Sequence, residues 1–111
     1  MTVIEKILAS EQYELSRPVT IKDEKTGEDK EITVLQLPFS HLRGRDIAEA
    51  QDEFDAFSSG KIEVLDSNKG FHAYLISKMA KVPYETVLDD LAMQDFSILT
   101  LVVYRFLFAG A

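Results

Sequence analysis

No cysteine occurs anywhere in this chain. Disulfides, thiolate nucleophiles and cysteine-ligated zinc are thereby excluded, and the composition fits a reducing compartment. Histidine is nearly as scarce: His41 and His72 are the only two, and neither has a second histidine at helical metal-ligand spacing. His72 reads as a surface or cap-proximal residue at the start of a helix. His41 follows Ser40, but adjacent residues rarely point at one another, so the pair is not a base and its nucleophile. No glycine-rich phosphate loop is present. The acidic run from Asp23 to Asp29 lacks the ligand spacing and closing bidentate glutamate of a calcium hand. Asp89 and Asp90 diverge by about 100° on a helix and do not form a carboxylate pair. The expectation is a protein that is not an enzyme, with no catalytic residue, no cofactor and no bound metal.

Positive charge is also in short supply. Nineteen acidic residues face twelve basic ones, for a formal charge of −7. A phosphate backbone is repelled by that balance, and the one local basic cluster, Arg43-Gly44-Arg45 with His41, is followed at once by acidic residues, so nucleic acid is not an expected partner. The N-terminus lacks the basic start and long apolar stretch of a secretory signal, which predicts a cytosolic protein. At 111 residues, 46% of them hydrophobic, the chain suits one domain with a single core. No repeat, low-complexity tract or domain linker interrupts it.

What the chain does have is an apolar C-terminal segment from Phe96 to Ala111. As a helix it sets Phe96, Leu99, Val103, Phe106 and Leu107 on one broad face and Ile98, Leu101, Val102, Phe108 and Ala109 on the other, with Arg105 standing among the latter. Some fifteen helical residues rise about 22 Å, short of a hydrocarbon core of about 30 Å, and Arg105 would lie within it, so no membrane span is expected. Either the helix is central and covered on both sides, or its second face is offered to another chain. The second reading makes Ile98, Leu101, Val102, Arg105 and Phe108 the partner-binding residues, with Phe96, Leu99, Val103 and Phe106 in the core.

Ahead of this segment the pattern is α+β. Residues 1–12 form an arm with Val3, Ile4, Ile7 and Leu8 on one side, too short to stand alone and expected to be frayed or docked on a neighbour. From Tyr13 the period becomes two, and Tyr13, Leu15, Val19 and Ile21 alternate with polar residues. Pro18 marks a sheet edge or bulge. A charged turn with Gly27 free to take positive φ leads to a return strand ending before Pro38, giving a hairpin over 13–37. About four helices follow within the domain 13–111, over 42–57 with Ser40 as N-cap, 68–82, 83–91 led by Pro83, and 94–109 closed by Gly110. Gly44 either precedes the first of these or permits a close backbone contact. Asp66, Ser67 or Asn68 can cap the second, and Asp95 favours the dipole of the last.

In their order, several phrases resemble the small tail assembly chaperones of long-tailed bacteriophages, the E-type proteins of contractile-tailed and Mu-like phages. The hairpin closes on Thr33-Val-Leu-Gln-Leu-Pro38, then come Leu42-Arg43-Gly44 and Asp46-Ile47. A proline-led turn, Val82-Pro83-Tyr-Glu85-Thr-Val87-Leu-Asp-Asp-Leu91, precedes the closing Asp95-Phe96-Ser-Ile-Leu99-Thr-Leu-Val102-Val-Tyr-Arg-Phe106-Leu107. The match runs from about Tyr13 to Leu107; the arm and an insert at 58–66 lie outside the pattern. The resemblance implies a non-enzymatic helper, active in the host cytoplasm during phage or prophage tail assembly and not retained in the virion. Its implied partner is the tape measure protein, a long apolar helical chain kept soluble until the tail tube forms around it. Self-association and a longer frameshifted form of the same protein are implied as well. A small DNA-binding regulator with a helix-turn-helix in residues 40–57 or 68–91, or a structural tail subunit, are the rival readings.

Overall fold

Thr2 begins the structure with a reciprocal cap. Its side chain accepts the Glu5 N–H at 3.1 Å and its own N–H donates to the Glu5 carboxylate at 3.2 Å, which satisfies two donors that a helix start leaves open and holds the Glu5 carboxyl below its usual range. The computed structural model describes residues 2–58 and 69–108. Helix α1, Val3–Ser10, buries Ile7 and packs Ile4 and Leu8 against the core, touching the closing helix and the first strand. Of the two expectations for the arm, frayed or docked, the frayed one does not hold: it is an integral first helix. Its end is fixed by Glu11 in the left-handed region (φ 57), whose carbonyl accepts the Leu37 N–H at 2.8 Å and whose carboxylate accepts the Ser40 N–H at 2.6 Å.

Strands β1 (Gln12–Lys22) and β2 (Asp29–Gln36) form the antiparallel hairpin, turned through Gly27 at φ 73. The pairing shifts register between Glu14↔Val34 and Val19↔Ile32, so that residues 15–18 of β1 bulge opposite a single residue of β2. Pro18, which has no N–H to give a ladder, sits in this bulge.

A 3-10 turn, Phe39–His41, leads to α2 (Gly44–Ser58). Ser40 lies in that turn and does not cap α2; the Arg43 N–H donates instead to Asp46 in the first turn at 3.0 Å. Gly44 is the first helical residue, and nothing stands within 4 Å of where its Cβ would be, so no close contact requires it. The insert at 58–66 lies outside the described residues beyond Ser58, as do the caps expected at Asp66 to Asn68 and the stop at Gly110. Helix α3, Lys69–Ala80, ends two residues earlier than its spacing predicts, because Lys81 turns left-handed (φ 59) and the Val82 N–H folds back to the Ser77 carbonyl at 3.2 Å. Pro83 stands just ahead of α4 (Tyr84–Asp89), its carbonyl accepting the N–H groups of Thr86 and Val87. Helix α5, Met93–Phe108, closes the domain. A two-stranded hairpin followed by helices confirms the α+β class.

The central helix is α3. Phe71, His72, Ala73, Leu75, Ile76, Ser77 and Met79 are all buried, and α2, α4, α5 and β2 each contact it. The core around it contains Leu15, Val19, Leu35 and Leu37 from the hairpin region, Phe39, Ala50, Phe54, Val87, and Leu99, Val102 and Val103 of α5.

Asp95 joins the two ends of the chain. Fully buried in the first turn of α5, its carboxylate accepts the Tyr13 hydroxyl at 2.6 Å, the Ser16 hydroxyl at 2.9 Å and the Ser16 N–H at 3.0 and 3.2 Å. The bulge makes this possible by taking the Ser16 N–H out of the ladder. Burial, and then the bond to Asp95, push the Tyr13 phenol well above its ordinary value. Removing the carboxylate would strand three donors. Asp95→Ala is expected to cost about 3 kcal/mol or more and Tyr13→Phe about 1.5–3 kcal/mol, read as shifts in urea midpoint; an Asp95→Ala protein as stable as the wild type refutes the clamp.

Candidate protein-binding surface

Helix α5 is buried along one face and open along another. At spacings of four, three and four residues, Ser97, Leu101, Tyr104 and Phe108 form a stripe with heptad-like periodicity, and Met93 extends it by a further turn. Leu101 is 51% exposed, Tyr104 43%, Phe108 52% and Met93 77%. The rings of Tyr104 and Phe108 lie 5.0 Å apart, so the lower half of the stripe is one continuous apolar surface. A buried rail holds it in place. Leu99, Val102 and Val103 anchor α5 in the core, and the Thr100 hydroxyl, itself buried, donates to the Phe96 carbonyl at 3.0 Å.

Of the residues expected to bind a partner, Leu101 and Phe108 are on this stripe and Arg105 is exposed beside it. Val102 is not: it is 0% exposed and belongs to the core. Ile98 is half-buried and packs against the core. Both corrections have the same cause. Neighbours α1, α3 and β1 cover more than half of the helix circumference, leaving a narrower strip than a division into two faces supposes. Tyr104, absent from the expected set, was detectable from the 4-3-4 spacing that it shares with Ser97, Leu101 and Phe108, and Met93 lies one further step of four before Ser97.

His72 lies under the stripe. It is buried in α3, its ring 6.3 Å from that of Tyr104 in an edge arrangement, and its Nε2 has no hydrogen-bond partner. The surface position expected for it is therefore wrong: α3 is enclosed on nearly every side. Desolvation holds the imidazole below its usual pKa, in the neutral form.

A polar cluster joins α2 to α3. Glu53 accepts from the Lys78 ammonium at 2.6 Å and from the Tyr74 hydroxyl at 2.8 Å. The Lys78 bond, then the Tyr74 bond, lower the Glu53 pKa, and the Glu53 bond raises that of Lys78. This is a surface latch. Arg43, Arg45 and His41 are exposed near the start of α2, beside Asp46. Among the described residues no group of three histidine, aspartate or glutamate side chains is placed to hold a metal ion, and no helix is long and apolar enough to cross a membrane. No family model matches the chain, and neither a curated protein nor a solved structure matches it.

His72 gives the stability of the fold a pH dependence of known sign. A histidine with a depressed folded pKa stabilises the fold less as pH falls, starting near its unfolded value of 6.5 and continuing down to its folded value. Thermal midpoints measured between about pH 7 and pH 5 should decline, and His72→Leu should flatten that part of the profile. An unchanged slope in the variant would exclude His72 as the origin.

Proposed function

We propose that this protein is a non-enzymatic assembly chaperone that covers an aggregation-prone helical client with the exposed stripe of α5. The observation that carries the reading is the stripe itself: Leu101, Tyr104 and Phe108 are held outward by a helix whose opposite side is locked in the core. A client helix with its own apolar seam fits such a surface by helix-to-helix packing. The formal charge of −7 keeps the resulting complex dispersed.

The resemblance of the hairpin, the proline-led turn and the closing helix to phage tail assembly chaperones supports a tape measure protein as the client. It also supports the bacterial host cytoplasm as the place of action, before the finished virion. Arg105 at the border of the stripe gives the client a point of charge registration, and Ser97 a polar one.

Co-expression with the tape measure protein of the same genome tests the proposal. The wild-type chain should hold that protein in the soluble fraction and co-purify with it. Leu101→Asp with Phe108→Asp removes two half-exposed apolar side chains that would each contribute about 1–1.5 kcal/mol on burial, so affinity should fall about a hundredfold. Far-ultraviolet circular dichroism should be unchanged, since neither residue is in the core. Undiminished co-purification by the folded double variant would overturn the reading.

A further inference from the structure

Although the chain is acidic, five of its lysines gather at one place. An open groove of about 810 Å³ lies between the hairpin tip and the C-terminal end of α3; Lys22, Lys25 and Lys30 line it from the hairpin, and Lys78 and Lys81 from the helix end. Ile21, Val82 and Pro83 add apolar lining, and two carboxylates, Asp23 and Glu24, join them. Asp23 is already engaged, its Oδ1 accepting the N–H groups of Lys25 at 2.8 Å and Thr26 at 3.4 Å. Lys22 is paired in register with Asp29, yet among the described residues no carboxylate comes within ion-pair distance of Lys22, Lys25, Lys30 or Lys81.

The opposite surplus lies on α2, which reaches the edge of this groove through the Glu53–Lys78 pair. Helix α2 carries Asp46, Glu49, Asp52, Glu53 and Asp55 against the single cation Arg45, and all of these side chains are exposed. Like charges three or four residues apart on a helix repel by a few tenths of a kcal/mol per pair. The two surfaces meet at Lys78, which is bonded to Glu53 and lies in the field of Glu49.

Adjacent patches of opposite sign make a surface self-complementary, because one two-fold rotation lays acid on base twice. We propose that two copies of this chain pair about such an axis, each setting the carboxylates of its α2 over the lysine groove of the other. Nucleic acid is a poorer occupant. Lysines lack the planar fork that grips phosphate in bidentate fashion, and the groove has apolar lining that a phosphate backbone does not match. The pairing does not use the α5 stripe, so this inference and the chaperone reading stand or fall separately.

Light scattering after size exclusion provides the test. Wild-type protein should be dimeric at about 50 mM NaCl and lose at least tenfold in affinity by about 500 mM. Lys25→Glu with Lys30→Glu should be monomeric, and so should Glu49→Lys with Asp52→Lys; all four positions are exposed, and circular dichroism checks the fold. Mixed in equal amounts, the two variants should form a heterodimer, since the reversed groove of one then meets the reversed helix of the other and the native groove meets the native helix, opposite in charge both times. A wild type that stays monomeric at about 50 mM NaCl and about 100 μM protein overturns the proposal. So does a dimer indifferent to salt and to both reversals, a mixture that remains monomeric, or a dimer abolished only by Leu101→Asp.

Discussion

The carboxylate of Asp95, enclosed without exposure to water, fixes how the first and last parts of the chain meet. It takes a phenol, a hydroxyl and a backbone N–H from β1, donors about eighty residues away in sequence, and holds them to the first turn of α5. The direction of α5 follows from that clamp together with the apolar contacts of Leu99, Val102 and Val103. So does the orientation of the open stripe. A two-stranded hairpin is marginal in water by itself, and here it is stable because its bulge is tied to a helix and its buried residues pack on α3.

Around this clamp the chain distributes its hydrophobicity unevenly. Helix α3 is the central element although His72 and Ser77 interrupt its apolar character, and it tolerates them by different means. The Ser77 hydroxyl donates to the Tyr74 carbonyl one turn back, whereas the His72 ring stays neutral among apolar neighbours. Helix α5 is more apolar in sequence yet retains a solvent-exposed strip. Total hydrophobicity thus does not rank helices by burial. Position in the packing order does, and α3 has neighbours on four sides.

Charge is divided as sharply. The carboxylates of α2 lie on an outer helix face and the lysines collect at the hairpin tip and the end of α3, with the Glu53–Lys78 pair at their boundary. Neither patch can be read from the net balance of −7, which averages them away. The hairpin turn that brings Lys25 close to Lys30, and the left-handed Lys81 that ends α3, produce the basic side.

Much of the architecture was legible in local patterns. Period-two alternation from Tyr13, the breaking effect of Pro18, the glycine turn at Gly27 and the helical spacings after residue 42 each have a local cause, so the hairpin and the later helices could be placed to within a few residues. The same holds for the Thr2-x-x-Glu5 phrase, a local signal that accounts for α1. Partners distant in the chain were not legible. Asp95 looked like a dipole residue, Ser40 like a cap and Val102 like part of an outward face; each has a role set by an element that only folding brings near. Sequence determined which segments would be strands and helices, because those preferences are summed over neighbours a few residues apart. Tertiary structure alone decided which apolar residues of α5 remain in water and where unlike charges adjoin, because burial and Coulomb contacts depend on distance in space.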